Sequence, residues 1–306
     1  MRKGVLLIFL TAIISGCSIF INQFGVSTIN PYIFTGLKNI VVAIMIGCLL
    51  LIMKEWRLLK NLRKKQWLLL LAIGLVGGSI PFLLFFKGLA LTGAAQGSLI
   101  HKTMFIYVMI FATVFLKERV NKKFLFCGLL LLSGNAFLFR FIPHNLGKGD
   151  VFILIATLLW AVESVASKHA LKELPSKIVA WGRMFFGSIF ILIFLAVIGQ
   201  ISLLTSLNIG QIWWVVITSV LLFGYVMTWY SGLRHVPVFL AAVILLLGLP
   251  ITTLLVIIQT GVINLNEVFG IGLVLIGVIV GIKYIKISDT PKLFNNTRTS
   301  STQNLN

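Results

Sequence analysis

Long apolar stretches alternate with short polar segments along almost the whole chain. Each stretch is about 20 residues long, which is the length an α-helix needs to cross the hydrocarbon core of a bilayer. The pattern therefore predicts an all-α membrane protein with ten transmembrane helices. Their approximate ranges are 4–22, 33–53, 67–87, 93–116, 123–142, 150–168, 178–199, 210–231, 237–260 and 267–285.

Composition supports this interpretation. Of the 306 residues, 59% are hydrophobic and only 11% are charged, whereas soluble domains carry about 25% charged residues. A soluble fold of this length would need more charged surface to cover so many apolar side chains. Membrane lipid is therefore the expected surrounding of the chain.

The basic residues are unevenly distributed between the loops on the two sides of the membrane. The net charge is +19, and most basic residues lie in the segments 54–65, 117–123, 168–177 and 283–298, whereas the loops on the other side hold only Arg140 and Lys148. Cytoplasmic loops carry the excess of Lys and Arg, so both termini are expected in the cytoplasm and the number of spans is even. Basic clusters confined to such loops do not indicate nucleic-acid binding.

A short string near the N-terminus is similar to a lipoprotein signal. Arg2-Lys3 and an apolar run precede Ile14-Ser15-Gly16-Cys17. The apolar run continues beyond Cys17, however, and the side preference of the basic residues requires this helix. We expect a retained first transmembrane helix.

The two halves of the chain match each other at an offset of about 145 residues. Lys38 aligns with Arg183, each early in a span, and Gly88 aligns with Gly232. Five spans per half is an odd number, so the second half must run in the opposite sense. We expect two inverted five-helix repeats, 1–145 and 146–287, followed by a disordered cytoplasmic tail over 288–306.

Several short motifs recur in a definite order along the chain. They are Leu159-Trp160-Ala161, the basic residues Lys38 and Arg183, the Leu-Lys-Glu-Arg string at 116–119, Gly128 and Gly134, and Pro250 followed by Glu267. Their order and spacing resemble the drug/metabolite transporter superfamily, specifically its EamA-like ten-helix branch. The resemblance covers about residues 1 to 285.

The chain departs from the family pattern at two places. The usual proline of the fourth span is absent, with His101-Lys102-Thr103-Met104 in that region, and the gap from Pro250 to Glu267 is a few residues longer than the family pattern. The resemblance implies a transporter and leaves the substrate open, because family members move amino acids, other metabolites and toxic compounds.

Ionisable residues inside a bilayer are costly, which makes each one a functional candidate. Glu163 is the acid placed well inside a span, and it shares a helix face with Trp160 and small residues that suit a cavity wall. It could bind a substrate amine or a proton, or it could form a structural ion pair. Arg183, at similar depth, is the natural partner, although its side chain could instead extend to the inner headgroups.

Three basic residues complete the candidate substrate site. Lys38 could attract an anionic group of a substrate or extend towards the outer interface. Lys102 lies near the midplane, beyond easy reach of either surface, and is expected to line a polar cavity. His101 beside it points in another direction along the helix, so a satisfied buried histidine is the alternative.

These features favour a secondary transporter of small organic solutes in the cytoplasmic membrane that works by alternating access. Export is the direction implied by the resemblance, and protons are the candidate coupling ion. A lipid or lipid-carrier flippase on the same fold is the alternative, whereas a membrane enzyme would need polar clusters on the outer loops. No cofactor or metal is expected, membrane lipid is the surrounding partner, and the oligomeric state stays open.

Overall fold

The computed structural model describes residues 2–118, 122–138 and 146–261, with the short stretches 269–270, 272–273 and 276–277. Within these ranges every regular element is helical, which confirms the predicted all-α class. Eight helical segments are long and apolar enough to cross a membrane. The tenth predicted span, 267–285, and the end of the fifth lie mainly outside the described residues, as does the predicted tail.

The first half contains both long and short helices. Its elements are α1 (Arg2–Thr28), α2 (Pro31–Ile52), α3 (Arg57–Lys60), α4 (Lys64–Ile73), a π-helical turn (Gly74–Ser79), α5 (Ile80–Thr92), α6 (Ala94–Lys102), α7 (Met104–Phe115) and α8 (Lys122–Leu138).

The second half follows with α9. Its elements are α9 (Lys148–Ala170), α10 (Ser176–Val197), a 3₁₀ turn (Ile201–Thr205), α11 (Ile209–Leu233), α12 (Val238–Leu245) and α13 (Gly248–Thr260).

Local sequence explains where the long helices begin. Asn30 accepts a hydrogen bond from the Tyr32 amide at the start of α2, where Pro31 occupies the first turn. At α11, Asn208 accepts from the amide of Gln211. Side-chain acceptors satisfy amides that have no partner within the helix, and proline is tolerated in the first turn because it has no N–H to satisfy.

The third span contains a π-helical turn between α4 and α5. The turn includes Gly74, Gly77 and Gly78, and Pro81 follows it. Proline has no N–H, so it cannot occupy the carbonyl four residues earlier, which is that of Gly77. This irregular turn therefore leaves a backbone acceptor available inside the protein, where it must find another donor.

The fourth and ninth spans are both broken near the middle. Thr103 separates α6 from α7, and Leu246-Leu247 separates α12 from α13. Both breaks lie beside α1, which packs against α12 and α13 and also contacts α6. At the start of α12, the Glu118 carboxylate accepts hydrogen bonds from the amides of Val238 and Phe239 at 3.0 and 3.3 Å.

The long helices pack in pairs that join the two halves. Helix α1 of the first half lies along α11 of the second, and α9 of the second half lies along α5 of the first, while α10 packs against both α2 and the π-helical turn. The interior is closely packed, whereas large apolar side chains such as Ile44, Val114 and Ile193 are exposed on the outside. An apolar exterior of this kind suits contact with lipid.

Candidate functional site

A cavity lies between the two halves of the protein, midway along the long helices. Its volume is about 70 Å³, and helices from both halves form its wall. In the first half α1, α2, α5, α6 and α7 contribute; in the second half α9, α10 and α11 do. Its acidic and basic lining residues are Lys38, His101, Glu163 and Arg183.

Glu163 is the acid among the described lining residues, and hydroxyl groups hold its carboxylate. Ser167, one helical turn later on α9, donates to Oε1 at 2.5 Å, and Tyr230 of α11 donates to the same oxygen at 2.5 Å. The side chain is almost fully buried, with 2% exposed. A buried carboxylate needs such donors, because burial without hydrogen bonds would be costly.

Arg183 enters the cavity from α10, 3% exposed. Its NH2 group donates to the Gly77 carbonyl at 3.1 Å, and its guanidinium lies 5.3 Å from the centre of the Phe82 ring and 5.8 Å from that of Tyr230. Its Nε is buried without a hydrogen-bond partner. Arg183 is therefore an interior residue that does not extend to the headgroups.

The ion pair between Glu163 and Arg183, one of the alternatives left open by the sequence, does not form among the described side chains, where a salt bridge joins Lys177 and Glu55. Both side chains approach Gly77. A Cβ built on Gly77 would overlap the Glu163 side chain and lie 3.2 Å from Arg183 Nε. Arg183 donates to the Gly77 carbonyl in place of the carboxylate.

Lys38 occupies the other side of the cavity, on α2. Its ammonium donates to Asn22 Oδ1 at 2.5 Å and lies 4.3 Å from the centre of the Phe86 ring and 4.8 Å from that of Phe34. Only 1% of the residue is exposed. An amide oxygen and two ring faces stabilise a cation inside the protein, so Lys38 does not extend towards the outer interface.

His101 and Trp160 stand next to each other in the cavity wall, with ring centres 5.2 Å apart. Trp160 Nε1 donates to the Gly77 carbonyl at 2.9 Å, which gives this backbone oxygen a second donor besides Arg183. His101 also contacts the Phe85 ring at 5.5 Å, and its Nδ1 is buried without a hydrogen-bond partner. Within the described part of the chain, this ring nitrogen therefore stays free to meet a ligand or water.

Lys102 differs from the other candidates. It is 2% exposed, and its ammonium donates to Ser15 Oγ at 2.9 Å. Ser15 lines the cavity, whereas Lys102 lies behind it, close to Gly248 at the start of α13. The structure thus brings together Lys38, His101, Trp160, Glu163 and Arg183 and places Lys102 in the adjoining wall.

Several residues that hold the site were not predicted from the sequence. Tyr230 and Gly77 act on residues distant in the chain, and no local signal marks them. Asn22 could have been predicted from the sequence. It forms a polar stripe at helical spacing with Ser15 and Ser18 on an otherwise apolar span. Within the described ranges, no three His, Cys, Asp or Glu residues are grouped as metal ligands would be.

The sequence is similar to several proteins that are named as uncharacterized transporters. The sequence is 24% identical over 240 residues to the uncharacterized transporter YyaM of Bacillus subtilis, covering 74% of this chain and 77% of that protein. It is 26% identical over 180 residues to the uncharacterized inner membrane transporter YhbE of Escherichia coli K12, covering 56% of each.

A solved crystal structure shares the fold. It superposes with a TM-score of 0.72 at 17% sequence identity, over 92% of this chain and 96% of the other. The sequence also matches the EamA-like transporter family twice in succession, over residues 2–140 and again over residues 147–282. With apolar spanning helices, a charged interior cavity and two matches that together cover most of its length, the chain belongs to the EamA-like transporter family.

Proposed function

We propose that this protein is a secondary transporter of small organic solutes, and that the cavity is its substrate site. The observation that carries the proposal is the convergence of Lys38, His101, Glu163 and Arg183 on one cavity between the halves of the protein. Buried ionisable groups are expensive in a membrane protein, and they are characteristic of substrate and ion pathways.

The proposed architecture has ten spans arranged as two inverted five-helix repeats, 1–145 and 146–287. The two successive family matches support this division. So does the packing, because α1 with α11 and α9 with α5 are corresponding pairs at the sequence offset of the repeat. Inverted repeats commonly place the substrate site near the membrane midplane, where the halves meet.

Alternating access follows from this arrangement. The broken spans at Thr103 and at Leu246-Leu247 are at corresponding places in the two halves, and both lie beside α1. Breaks of this kind let the parts of a span move separately. We propose that the cavity opens in turn to each side of the cytoplasmic membrane, with both termini in the cytoplasm and export as the direction.

Glu163 is the proposed proton site. Both hydroxyl donors reach Oε1, whereas no donor to Oε2 is recorded among the described residues. A proton could therefore be added at Oε2 without breaking either hydrogen bond. Replacing Glu163 with Gln should abolish the dependence of transport on an imposed pH gradient, and unchanged dependence would refute the role.

The test of the transport proposal uses the purified protein in proteoliposomes. Radiolabelled amino acids, amines, sugars and nucleosides are first screened for thermal stabilisation of the protein, and those that stabilise it are assayed for uptake. Ser164→Phe places a ring in the cavity, while Val162→Phe places the same ring on the outward side of the same helix, where Val162 is 44% exposed.

Uptake should be lost in Ser164→Phe and retained in Val162→Phe. Unchanged uptake in both variants would show that the solute does not pass through this cavity. With the protein inserted in one known orientation, transport of solute loaded inside the vesicles is then compared with transport of solute added outside. This comparison tests the direction of transport.

A further inference from the structure

The positive and negative charges around the cavity are unequal. Lys38 and Arg183 line it as basic residues, Glu163 is the acid among the described lining residues, and the ammonium of Lys102 lies immediately behind Ser15. Charges in a low-dielectric interior are normally paired. The described part of the cavity lacks the second negative charge that such pairing requires.

Both cations use neutral acceptors in place of a carboxylate. Lys38 has the amide oxygen of Asn22, and Arg183 has the carbonyl of Gly77. An ammonium has three donor positions and a guanidinium has five, so each retains unused donors. Arg183 Nε is one of them, since it is buried and has no hydrogen-bond partner among the described residues.

Stacked aromatic rings connect the two cations. Lys38 lies against Phe86, Phe86 stacks on Phe82 with ring centres 5.9 Å apart, and Arg183 lies against Phe82. Trp160 packs on the Phe82 and Phe85 rings at 5.2 Å. The wall between the cations is thus apolar and aromatic, and its rings can pack against a planar apolar group of a ligand in stacked or edge-to-face contact.

These observations point to a ligand class. Resting on the transport function proposed above, we propose that the cavity takes organic anions with a planar apolar body, whose acidic group is bound by Lys38 and Arg183. The acidic group supplies the missing negative charge and accepts from the unused donors, while the body lies against the aromatic wall. A carboxylate suits the planar fork of Arg183 particularly well, because both its oxygens can accept in parallel.

The test uses three compounds that share one ring and differ in charge: phenylacetate, phenylacetamide and phenethylamine. The full chain, purified in detergent, is titrated with each at millimolar concentrations, and the shift in apparent Tm gives an apparent Kd. Phenylacetate should bind at least about tenfold more tightly than the amide or the amine, since hydrogen bonds to charged groups are worth that much.

Variants identify the residues responsible. Lys38→Gln and Arg183→Gln should each weaken phenylacetate binding about tenfold or more, and Arg183→Lys retains the charge if Arg183→Gln does not fold. Asn22→Asp keeps Lys38 but gives its ammonium a carboxylate, so it should remove the preference for the acid. The control is Lys87→Gln, because the Lys87 ammonium lies over the Tyr32 ring and outside the cavity wall; it should bind as the wild type does.

Three results would overturn the anion proposal: equal or tighter binding of the amine or the amide, no binding of the acid, or equal weakening in the Lys87→Gln control. None of them touches the transport function itself. That function is tested independently by whether Ser164→Phe blocks uptake of whichever solute the wider screen identifies.

Discussion

Lys38 and Arg183 lie about 145 residues apart, at corresponding places in the two halves, yet their surroundings differ. Fixed groups surround Lys38, namely the Asn22 amide and the rings of Phe34 and Phe86. Arg183 donates to the backbone carbonyl of Gly77, and the Glu163 side chain approaches the same glycine. The proposed proton site therefore belongs to the second half, whereas the first half supplies a cation with neutral neighbours.

The difference begins in the backbone. The third span has the π-helical turn Gly74–Ser79, whereas its counterpart α11 runs unbroken from Ile209 to Leu233. The glycines of the turn allow α10 to come close, because a Cβ on Gly78 would overlap the Arg183 backbone. One half thus provides a buried carbonyl that lacks its helical donor, and the other half provides the side chains that donate to it. Irregular turns of this kind occur frequently at functional sites.

The largest expected effect comes from Gly77→Ala. The added methyl group would overlap the Glu163 side chain and crowd Arg183 Nε, so the carboxylate and the guanidinium must be displaced. We expect a loss of about 3 kcal/mol in the free energy of unfolding, the upper end of the overpacking range, together with loss of transport. Unfolding in a sodium dodecyl sulfate titration and uptake by proteoliposomes measure the two effects.

Gly47→Ala on α2 is the matched control. Its new Cβ would meet Trp181 Nε1 at 3.5 Å, an ordinary contact. Since alanine favours helix more than glycine does, stability should stay the same or rise by up to about 1 kcal/mol. If Gly77→Ala were as stable as Gly47→Ala, the close approach of the Glu163 and Arg183 side chains to Gly77 would be incorrect.

An intermediate effect is expected from Asn22→Leu. Leucine is similar in size but removes the acceptor of the Lys38 ammonium, leaving a buried cation with ring faces only. We expect a loss of about 2 kcal/mol, because an unsatisfied charged group is costly to bury. The sodium dodecyl sulfate titration again provides the measurement.

Ser167→Ala tests the corresponding support on the other side of the site. It removes one of two hydroxyl donors from Glu163 Oε1 and leaves that of Tyr230. The expected loss is about 1 kcal/mol, that of one ordinary hydrogen bond. If Ser167→Ala cost more than Asn22→Leu, the carboxylate and not the lysine would be the more demanding charge of the site.

The smallest effect concerns Glu118, which caps α12, whereas the corresponding start of α6 at Gly93 has no side-chain cap. Burial raises the pKa of Glu118 above its ordinary value of 4.5, against the lowering effect of the Val238 and Phe239 amides. The folded protein therefore holds this proton more strongly than the unfolded chain does. Stability from this group is present below pH 4.5 and is lost as the pH rises through the raised pKa.

Glu118→Gln should remove this component of the pH dependence and change stability at neutral pH by less than about 1 kcal/mol, the usual scale of a charge at a helix end. Apparent Tm values of the two proteins across the acidic range measure the difference. A gap between the two proteins that does not vary with pH would contradict the prediction.

The spans themselves were largely predictable. The predicted second span, 33–53, is observed as Pro31–Ile52, and the predicted eighth, 210–231, as Ile209–Leu233. The first helix extends to Thr28, past the predicted end at 22, because hydropathy averages do not register the polar end of a helix. The breaks in the fourth and ninth spans were not predicted, since both spans are continuous in hydropathy.

For the candidate site, the sequence predicted how deep each residue lies in the membrane but not which residues share a cavity. Charge inside an apolar run marked Lys38, Lys102, Glu163 and Arg183 as candidates for the interior, because lipid penalises exposed charge, although Lys38 and Arg183 could also have extended to an interface. Which of them share a cavity depended on the direction of each side chain, and that placed Lys102 behind Ser15. Gly77 could not have been identified, because its role depends on the Glu163 and Arg183 side chains that packing brings next to it.

By itself, then, the amino-acid sequence determined the helical class, the positions of the spans and which side chains must avoid lipid. These properties depend on hydropathy summed along one segment. Tertiary structure decided the hydrogen-bond partners. The Gly77 carbonyl accepts from Arg183 and Trp160, and two hydroxyl groups donate to Glu163. Such contacts join residues far apart in the chain, and packing geometry selects them where hydropathy cannot distinguish one buried donor from another.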